Sequence, residues 1–120
     1  MSNNSMLILA THGTYGRDDD AFGAMMVANA ALAKGLDVTL VLFEDGVAMA
    51  KKGQDPAGIG MPNNLNELKD FIDLGGRLVA NSESLDERGI TTDELISDVE
   101  ILSYNELYEI IDENKISITL

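Results

Sequence analysis

The chain contains no cysteine and no tryptophan, and only two of its 120 residues are proline. Without cysteine, its own side chains can form no disulfide, no thiolate metal site and no persulfide. The first apolar run, Met6–Ala10, is far shorter than the roughly 20 residues of a membrane-spanning helix. The residues before it include no basic signal-peptide region, so we expect a cytoplasmic protein with no membrane partner.

Basic residues are scarce: eight Lys and Arg stand against 21 Asp and Glu, which gives a formal net charge of −13. Nucleic-acid binding needs clustered positive charge to neutralise phosphates, so no nucleic-acid partner is expected. Between Glu83 and Glu113 there are eleven acidic side chains and one basic one, Arg88. The simplest interpretation is a solvated acidic surface, and the alternative is a docking face for a basic partner.

Apolar segments of strand length alternate with segments of helical periodicity. Strands are predicted at Met6–Ala10, Val38–Phe43, Arg77–Ala80, Val99–Leu102 and Ile116–Leu120. Helices are predicted at Asp19–Lys34, at Gly46–Lys52, from Leu65 to Gly75, at Leu85–Arg88, and after the capping boxes that begin at Thr91 and Ser103. This alternation is typical of a parallel α/β sheet. We therefore predict one domain over residues 1–120, a sandwich with about five strands.

The segment Gly53–Asn64 contains both prolines, Pro56 and Pro62, together with three glycines. Such a composition, without apolar periodicity, predicts a loop. We expect it to be poorly ordered in the free protein, and the sequence leaves open whether it is a lid or a contact for a partner.

The predicted first helix lacks a polar face. From Ala21 to Ala33 every residue except Asn29 is apolar or glycine. A helix that is apolar all round is normally buried all round, and Met26 and Val27 add larger side chains than alanine. We expect this helix to contact a second subunit, and the alternative is an exposed surface formed mainly by alanine.

Polar clusters follow the first three predicted strands. They are Thr11–Gly16, Glu44–Gly46 and Asn81–Ser84. The carboxyl ends of neighbouring parallel strands meet at one edge of the sheet, where ligands bind in open α/β folds. The sequence therefore predicts a small polar site at this edge.

The residue types at this edge suggest a limited chemistry. His12 is the only histidine, and Asp45 is placed to orient it. These two residues are therefore the candidates for acid–base catalysis. The alternative is a structural role, which is more common for a lone histidine at a strand end. The predicted ligand-binding residues are His12, Thr14, Tyr15, Asp45, Asn81, Ser82 and Ser84. The last three have an alternative role as the cap of a following helix. Gly13–Gly16 matches no nucleotide motif, and Asp18–Asp20 fits a helix amino end better than a metal site, so no cofactor or metal is expected.

Three short motifs together make the chain similar to a known protein family. They are Thr14-Tyr15-Gly16 after the first strand, Phe43-Glu44-Asp45-Gly46-Val47 after the second, and Arg88-Gly89-Ile90 before the fourth. In this order and spacing, from Met6 to the last strand, the chain resembles the DsrE/DsrF family, which includes the TusD-like sulfur-relay subunits. The resemblance implies a flavodoxin-like three-layer sandwich, and oligomers that range from dimers and trimers to hexamers. In active members it also implies a cysteine that carries a persulfide.

The chain departs from the family at that cysteine. Counting back from Arg88-Gly89 places the family's sulfur-carrying position at Asn81, and a further cysteine of some relatives near Ser84. Neither an amide nor an unactivated hydroxyl can replace a thiolate. From the resemblance we expect Asn81 at the mouth of the strand-end pocket, and no sulfur transfer on this chain.

These observations predict a homo-oligomeric DsrE-like protein, a dimer, trimer or hexamer, that binds a small ligand or a partner in a sulfur-related system without catalysis. One alternative is an enzyme of another type that uses His12, Asp45 and Asn81. A second alternative is a subunit of a heteromeric sulfurtransferase whose partner, a cysteine-bearing DsrE-like chain or a sulfur carrier, performs the transfer.

Overall fold

The computed structural model describes residues 5–11, 20–52, 64–114 and 116–119. Its strands are β1 (Ser5–Ala10), β2 (Asp37–Leu42), β3 (Arg77–Asn81), β4 (Glu100–Leu102) and β5 (Ile116–Thr119). They form one sheet in the order β4-β3-β2-β1-β5, and every neighbouring pair is parallel. The predicted α/β sandwich with a parallel sheet of about five strands is thereby confirmed. Its strand order differs from the order 2-1-3-4-5 of flavodoxin itself. That residues 1–120 form a single domain stays a prediction.

Four α-helices connect these strands: α1 (Asp20–Ala33), α2 (Asn64–Asp73), α3 (Ser82–Glu87) and α4 (Tyr104–Glu113). Within the described ranges, short 3₁₀ helices lie at Glu44–Ala50 and Thr92–Glu94. The capping boxes predicted at Thr91 and Ser103 are both present. The helix predicted from Leu85 begins earlier, at Ser82, because the Asn81 side chain caps it.

The central strands are buried on both faces of the sheet, as expected for parallel strands. On one face Ile8, Leu40 and Leu42 pack in a large core with residues of α1 and α2. The alternate residues of the same strands, Leu7 and Val41, face the other side, where they join a smaller core completed by α4. The two-residue period of a strand thus divides the apolar side chains between two helical layers.

Helix α1 presents apolar side chains to the core and also to solvent. Ala24, Met25 and Ala28 are buried, whereas Met26 and Val27 are 51% and 40% exposed. The expected lack of a polar face is confirmed for this part of the helix. Burial of the outer side by a second subunit stays a prediction.

A tight turn joins the end of β2 to the end of β1. The backbone N–H of Phe43 donates to the Ala10 carbonyl at 2.9 Å, and the N–H of Gly46 donates to the Phe43 carbonyl at 2.9 Å. Glu44 adopts a positive φ of 52°, which is uncommon for a residue with a side chain. Gly46 lies against the Ala10 carbonyl, with no room for a Cβ atom. The turn therefore fixes the polar residues after β2 on the sheet edge.

The predicted loop and the question of a membrane-spanning helix can be assessed only on the residues that the structure describes. Of the predicted loop Gly53–Asn64, residues 53–63 lie outside the described part of the chain, and Asn64 is the first residue of α2. Among the residues that are described, no helix has the length and apolar character needed to cross a membrane.

Replacing Gly46 with alanine should destabilise the protein by about 2–3 kcal/mol or more, because the new Cβ atom would overlap the Ala10 carbonyl, which is part of the backbone and cannot rotate away. Urea unfolding followed by circular dichroism measures this. The matched control is Gly23→Ala in α1, where the Cβ atom meets open space and the free energy of unfolding should rise by about 0.5–1 kcal/mol. A Gly46→Ala protein as stable as the parent would contradict the tight turn.

Candidate functional site

The polar clusters that follow β2 and β3 lie side by side. Leu42 of β2 is paired with Ala80 of β3, so the next residues of both strands emerge at the same edge of the sheet. A direct hydrogen bond joins the clusters, since the backbone N–H of Glu44 donates to the Ser84 hydroxyl at 3.0 Å. The predicted convergence of the second and third clusters is thus present in the structure.

Asn81 is the centre of this edge. It is the N-cap of α3: its Oδ1 accepts the Ser84 N–H at 2.9 Å and the Ser84 hydroxyl at 2.8 Å. Its Nδ2 donates to Glu83 Oε1 at 3.0 Å and to the Leu102 carbonyl at 3.2 Å. An amide has two donors and two acceptor lone pairs, so all four are used.

The expectation that Asn81 stands open at a pocket mouth is wrong. Its side chain is 0% exposed, and Ser84 is 1% exposed. The reason is the cap itself, because α3 starts directly after β3 and folds back over the end of the strand. Ligand binding by Asn81 and Ser84 stays a prediction, and a ligand would have to replace the hydrogen bonds just described. Ser82 is half-buried, and its hydroxyl donates to Glu83.

Asp45 forms an ion pair that the sequence did not predict. Arg88 Nε donates to Asp45 Oδ1 at 2.9 Å, and Arg88 Nη1 donates to the Ser84 carbonyl at 3.2 Å. Two of the family-like motifs, one after β2 and one after α3, are thereby in direct contact. The signal available in the sequence was Arg88 itself, the one cation of a strongly acidic segment.

Glu83 is a second residue that sequence reasoning missed. Its Oε1 accepts hydrogen bonds from the amide of Asn81, the hydroxyl of Ser82 and the backbone N–H of Tyr104, the last at 3.1 Å. Partial desolvation of the carboxylate opposes ionisation, but these hydrogen bonds and one from its own backbone outweigh it and lower the pKa of Glu83. A single carboxylate therefore joins the amino ends of α3 and α4.

His12, Thr14 and Tyr15 lie outside the described residues, so their placement beside Asp45 and Asn81 stays a prediction. Asp18 and Asp19 lie outside them as well. Within the described part of the chain, no group of three or more His, Asp or Glu side chains is arranged to hold a metal ion.

An apolar groove opens next to this polar edge. It lies between α4 and the carboxyl ends of β1 and β2, and its lining residues are Leu9, Phe43, Tyr104, Leu107, Tyr108 and Ile111. The rings of Phe43 and Tyr104 are 5.7 Å apart and inclined at 56°, a favourable tilted arrangement. The spacing of the apolar α4 residues indicates one helix face, but the sequence did not show that this face borders a groove.

Comparison with known proteins identifies relatives of the whole chain. The model of the DsrE/DsrF-like family matches residues 4–120. An uncharacterised protein of Methanocaldococcus jannaschii is 31% identical over 107 residues, which are 89% of this chain and 91% of the relative. The intracellular sulfur oxidation protein DsrF of Allochromatium vinosum is 31% identical over 103 residues, which are 81% of this chain and 76% of that protein.

Solved structures share the fold. The crystal structure of the YchN protein from E. coli superposes with a TM-score of 0.87 at 25% identity, covering 98% of this chain and 99% of that one. A protein from Methanobacterium thermoautotrophicum, described as of unknown function, superposes with a TM-score of 0.73 at 13% identity, covering 97% of this chain and 99% of that one.

The Glu83→Gln variant should lose stability at neutral pH and lose less of it in acid. The fold lowers the pKa of Glu83. The ionised carboxylate therefore contributes fully to the free energy of unfolding above the ordinary glutamate pKa, and this contribution is lost as the pH falls through the lowered pKa. The difference in unfolding free energy between parent and variant should therefore shrink below about pH 4.

Urea unfolding of the parent and the variant, at neutral pH and at several values below about pH 4, measures this difference in unfolding free energy. Glu109→Gln, on the exposed side of α4, makes the same change in net charge and serves as the control. A Glu83→Gln effect that is equally large at all pH values would show that the charge of this carboxylate is not what stabilises the helix ends.

Proposed function

Because the chain belongs to the DsrE/DsrF-like family, we propose that it is a binding subunit of a sulfur-related system, and that it transfers no sulfur on its own side chains. Its relative from Allochromatium vinosum carries the name of an intracellular sulfur oxidation protein, which supports both the sulfur context and a cytoplasmic location. The absence of cysteine from all 120 residues supports the non-catalytic role.

The observation that carries this proposal is the Asn81 cap. At the position that matches the family's sulfur carrier, this chain holds an amide whose donors and acceptors are all engaged within the fold. An amide is not a nucleophile toward sulfane sulfur, and a buried one is also inaccessible to a donor. Asn81 therefore has a structural role, as the cap of α3, and no role in sulfur transfer.

A binding subunit of this kind requires partners, and we propose two. One is a further copy of this chain, in a dimer, trimer or hexamer, with the outer side of α1 as the contact, since Met26 and Val27 are large, apolar and exposed there. The other is a cysteine-bearing DsrE-like chain or a sulfur carrier, because the transfer step needs a thiolate that this chain lacks.

Changing Val27 to aspartate should dissociate the homo-oligomer, because a buried unpaired carboxylate costs several kcal/mol, on the order of 3–5. Light scattering at micromolar concentration measures the molar mass of the parent and the variant. Val27→Ala, which keeps the site apolar, should remain associated. A parent protein that is a monomer at this concentration would refute the proposed assembly.

After incubation with inorganic polysulfide, the intact mass of the parent protein should be unchanged once small molecules are removed. An Asp86→Cys variant, with an exposed thiol on α3, should gain sulfur readily. An Asn81→Cys variant should gain it much more slowly, because its thiol would be buried at the end of β3. The parent should also leave the rate of sulfur transfer from polysulfide to dithiothreitol unchanged, and a rate that rises with its concentration would contradict the proposal.

A further inference from the structure

The groove beside α4 exposes several large apolar side chains at one place. Tyr108 is 68% exposed, Tyr104 is 40% exposed and Ile111 is 37% exposed. All three lie on one face of α4, and Leu9 and Phe43 line the opposite side of the groove. Single exposed apolar residues are ordinary, but a contiguous concave patch is typical of an interaction surface.

The size of the groove favours a side chain of a polypeptide over a free small molecule. Its volume is about 170 Å³. Small-molecule sites usually enclose about 300–1,000 Å³ and bury most of the ligand. A shallow groove lined by aromatic residues resembles the pockets that receive a single anchoring side chain at a protein interface.

The charges around the groove indicate what should flank that side chain. Helix α4 carries four acidic residues and no basic one. On the other side, partial desolvation of the phenol and then the charges of Glu87, Glu83 and Glu44 raise the pKa of Tyr104. The cation that opposes them, Arg88, is held by Asp45 at 2.9 Å and lies 3.7 Å from Glu87. Among the described residues, the rim is therefore negative.

We propose that this groove binds a segment of a partner protein in which an aromatic or branched apolar side chain is flanked by lysine or arginine. A second copy of this chain fits poorly as the occupant, because none of the exposed large apolar side chains among its described residues has a lysine or arginine within two positions in the sequence. The inference rests on the proposed function only in treating the protein as a binding subunit, since it invokes no sulfur chemistry.

A synthetic peptide tests the groove directly. The probe is Lys-Lys-Ser-Leu-Trp-Leu-Ser-Lys-Lys, whose tryptophan fluorescence reports binding because the protein has no tryptophan of its own. We expect saturable binding that weakens about fivefold or more between about 50 mM and about 500 mM sodium chloride. The same peptide with glutamate in place of every lysine should not bind.

Two variants locate the binding site. Tyr108→Ser removes the most exposed ring of the groove and should weaken binding of the lysine peptide about tenfold. Leu74→Ser removes a side chain of similar exposure, 60%, after α2 and away from the groove, and should leave the affinity unchanged. Circular dichroism of both variants checks that the fold is kept.

Three results would overturn the inference. These are equal binding of the lysine and glutamate peptides, equal loss of affinity in the Tyr108→Ser and Leu74→Ser variants, and dissociation of the homo-oligomer by Tyr108→Ser in light scattering. The last would show that another copy of the chain occupies the groove. None of them bears on whether the chain accepts sulfur, so the inference and the proposed function fail independently.

Discussion

The hydrogen bonds of the Asn81 amide hold the functional edge of the sheet together. Through them the end of β3 is bound to the first turn of α3, and to the Leu102 carbonyl at the end of β4. Ser84, which these bonds fix in place, in turn accepts the N–H of Glu44 after β2. The ends of β2, β3 and β4 are thus linked through two buried side chains, Asn81 and Ser84. Leaving a buried polar group without its partner costs about 1–3 kcal/mol, so each of these contacts constrains the others.

The architecture could be predicted because its signals are local. Short, mainly apolar runs predicted the strands. Glycines such as Gly35, Gly75 and Gly89, all at positive φ, end the preceding helices or turns as expected. The two capping boxes were readable because Ser or Thr and Glu stand three residues apart, which is the spacing at which one helix turn brings them together. The observed boundaries differ from the predicted ones by one to three residues, and the largest difference, at the start of α3, comes from the local Asn81 cap.

The contacts that shape the site could not be predicted in the same way, because they join residues far apart in the chain. Glu83 accepts a hydrogen bond from Tyr104, 21 positions later, and Arg88 binds Asp45, 43 positions earlier. No periodicity relates such pairs. The sequence placed Asn81 correctly at the end of the third strand, but whether its amide faces solvent or a helix amino end depends on where α3 begins. The apolar groove, made by two strand ends and one helix, posed the same difficulty.

The proposal that Asn81 stands where active relatives carry a cysteine therefore concerns more than the loss of a thiol. A thiol offers one weak donor and a weak acceptor, whereas the amide makes four hydrogen bonds within this fold. Those bonds leave the buried amide without a free donor or acceptor, and they join the first turn of α3 and the Glu83 carboxylate to the end of the sheet. Under this proposal, the position that would carry the chemistry is part of the structure that holds the edge of the sheet beside the apolar groove.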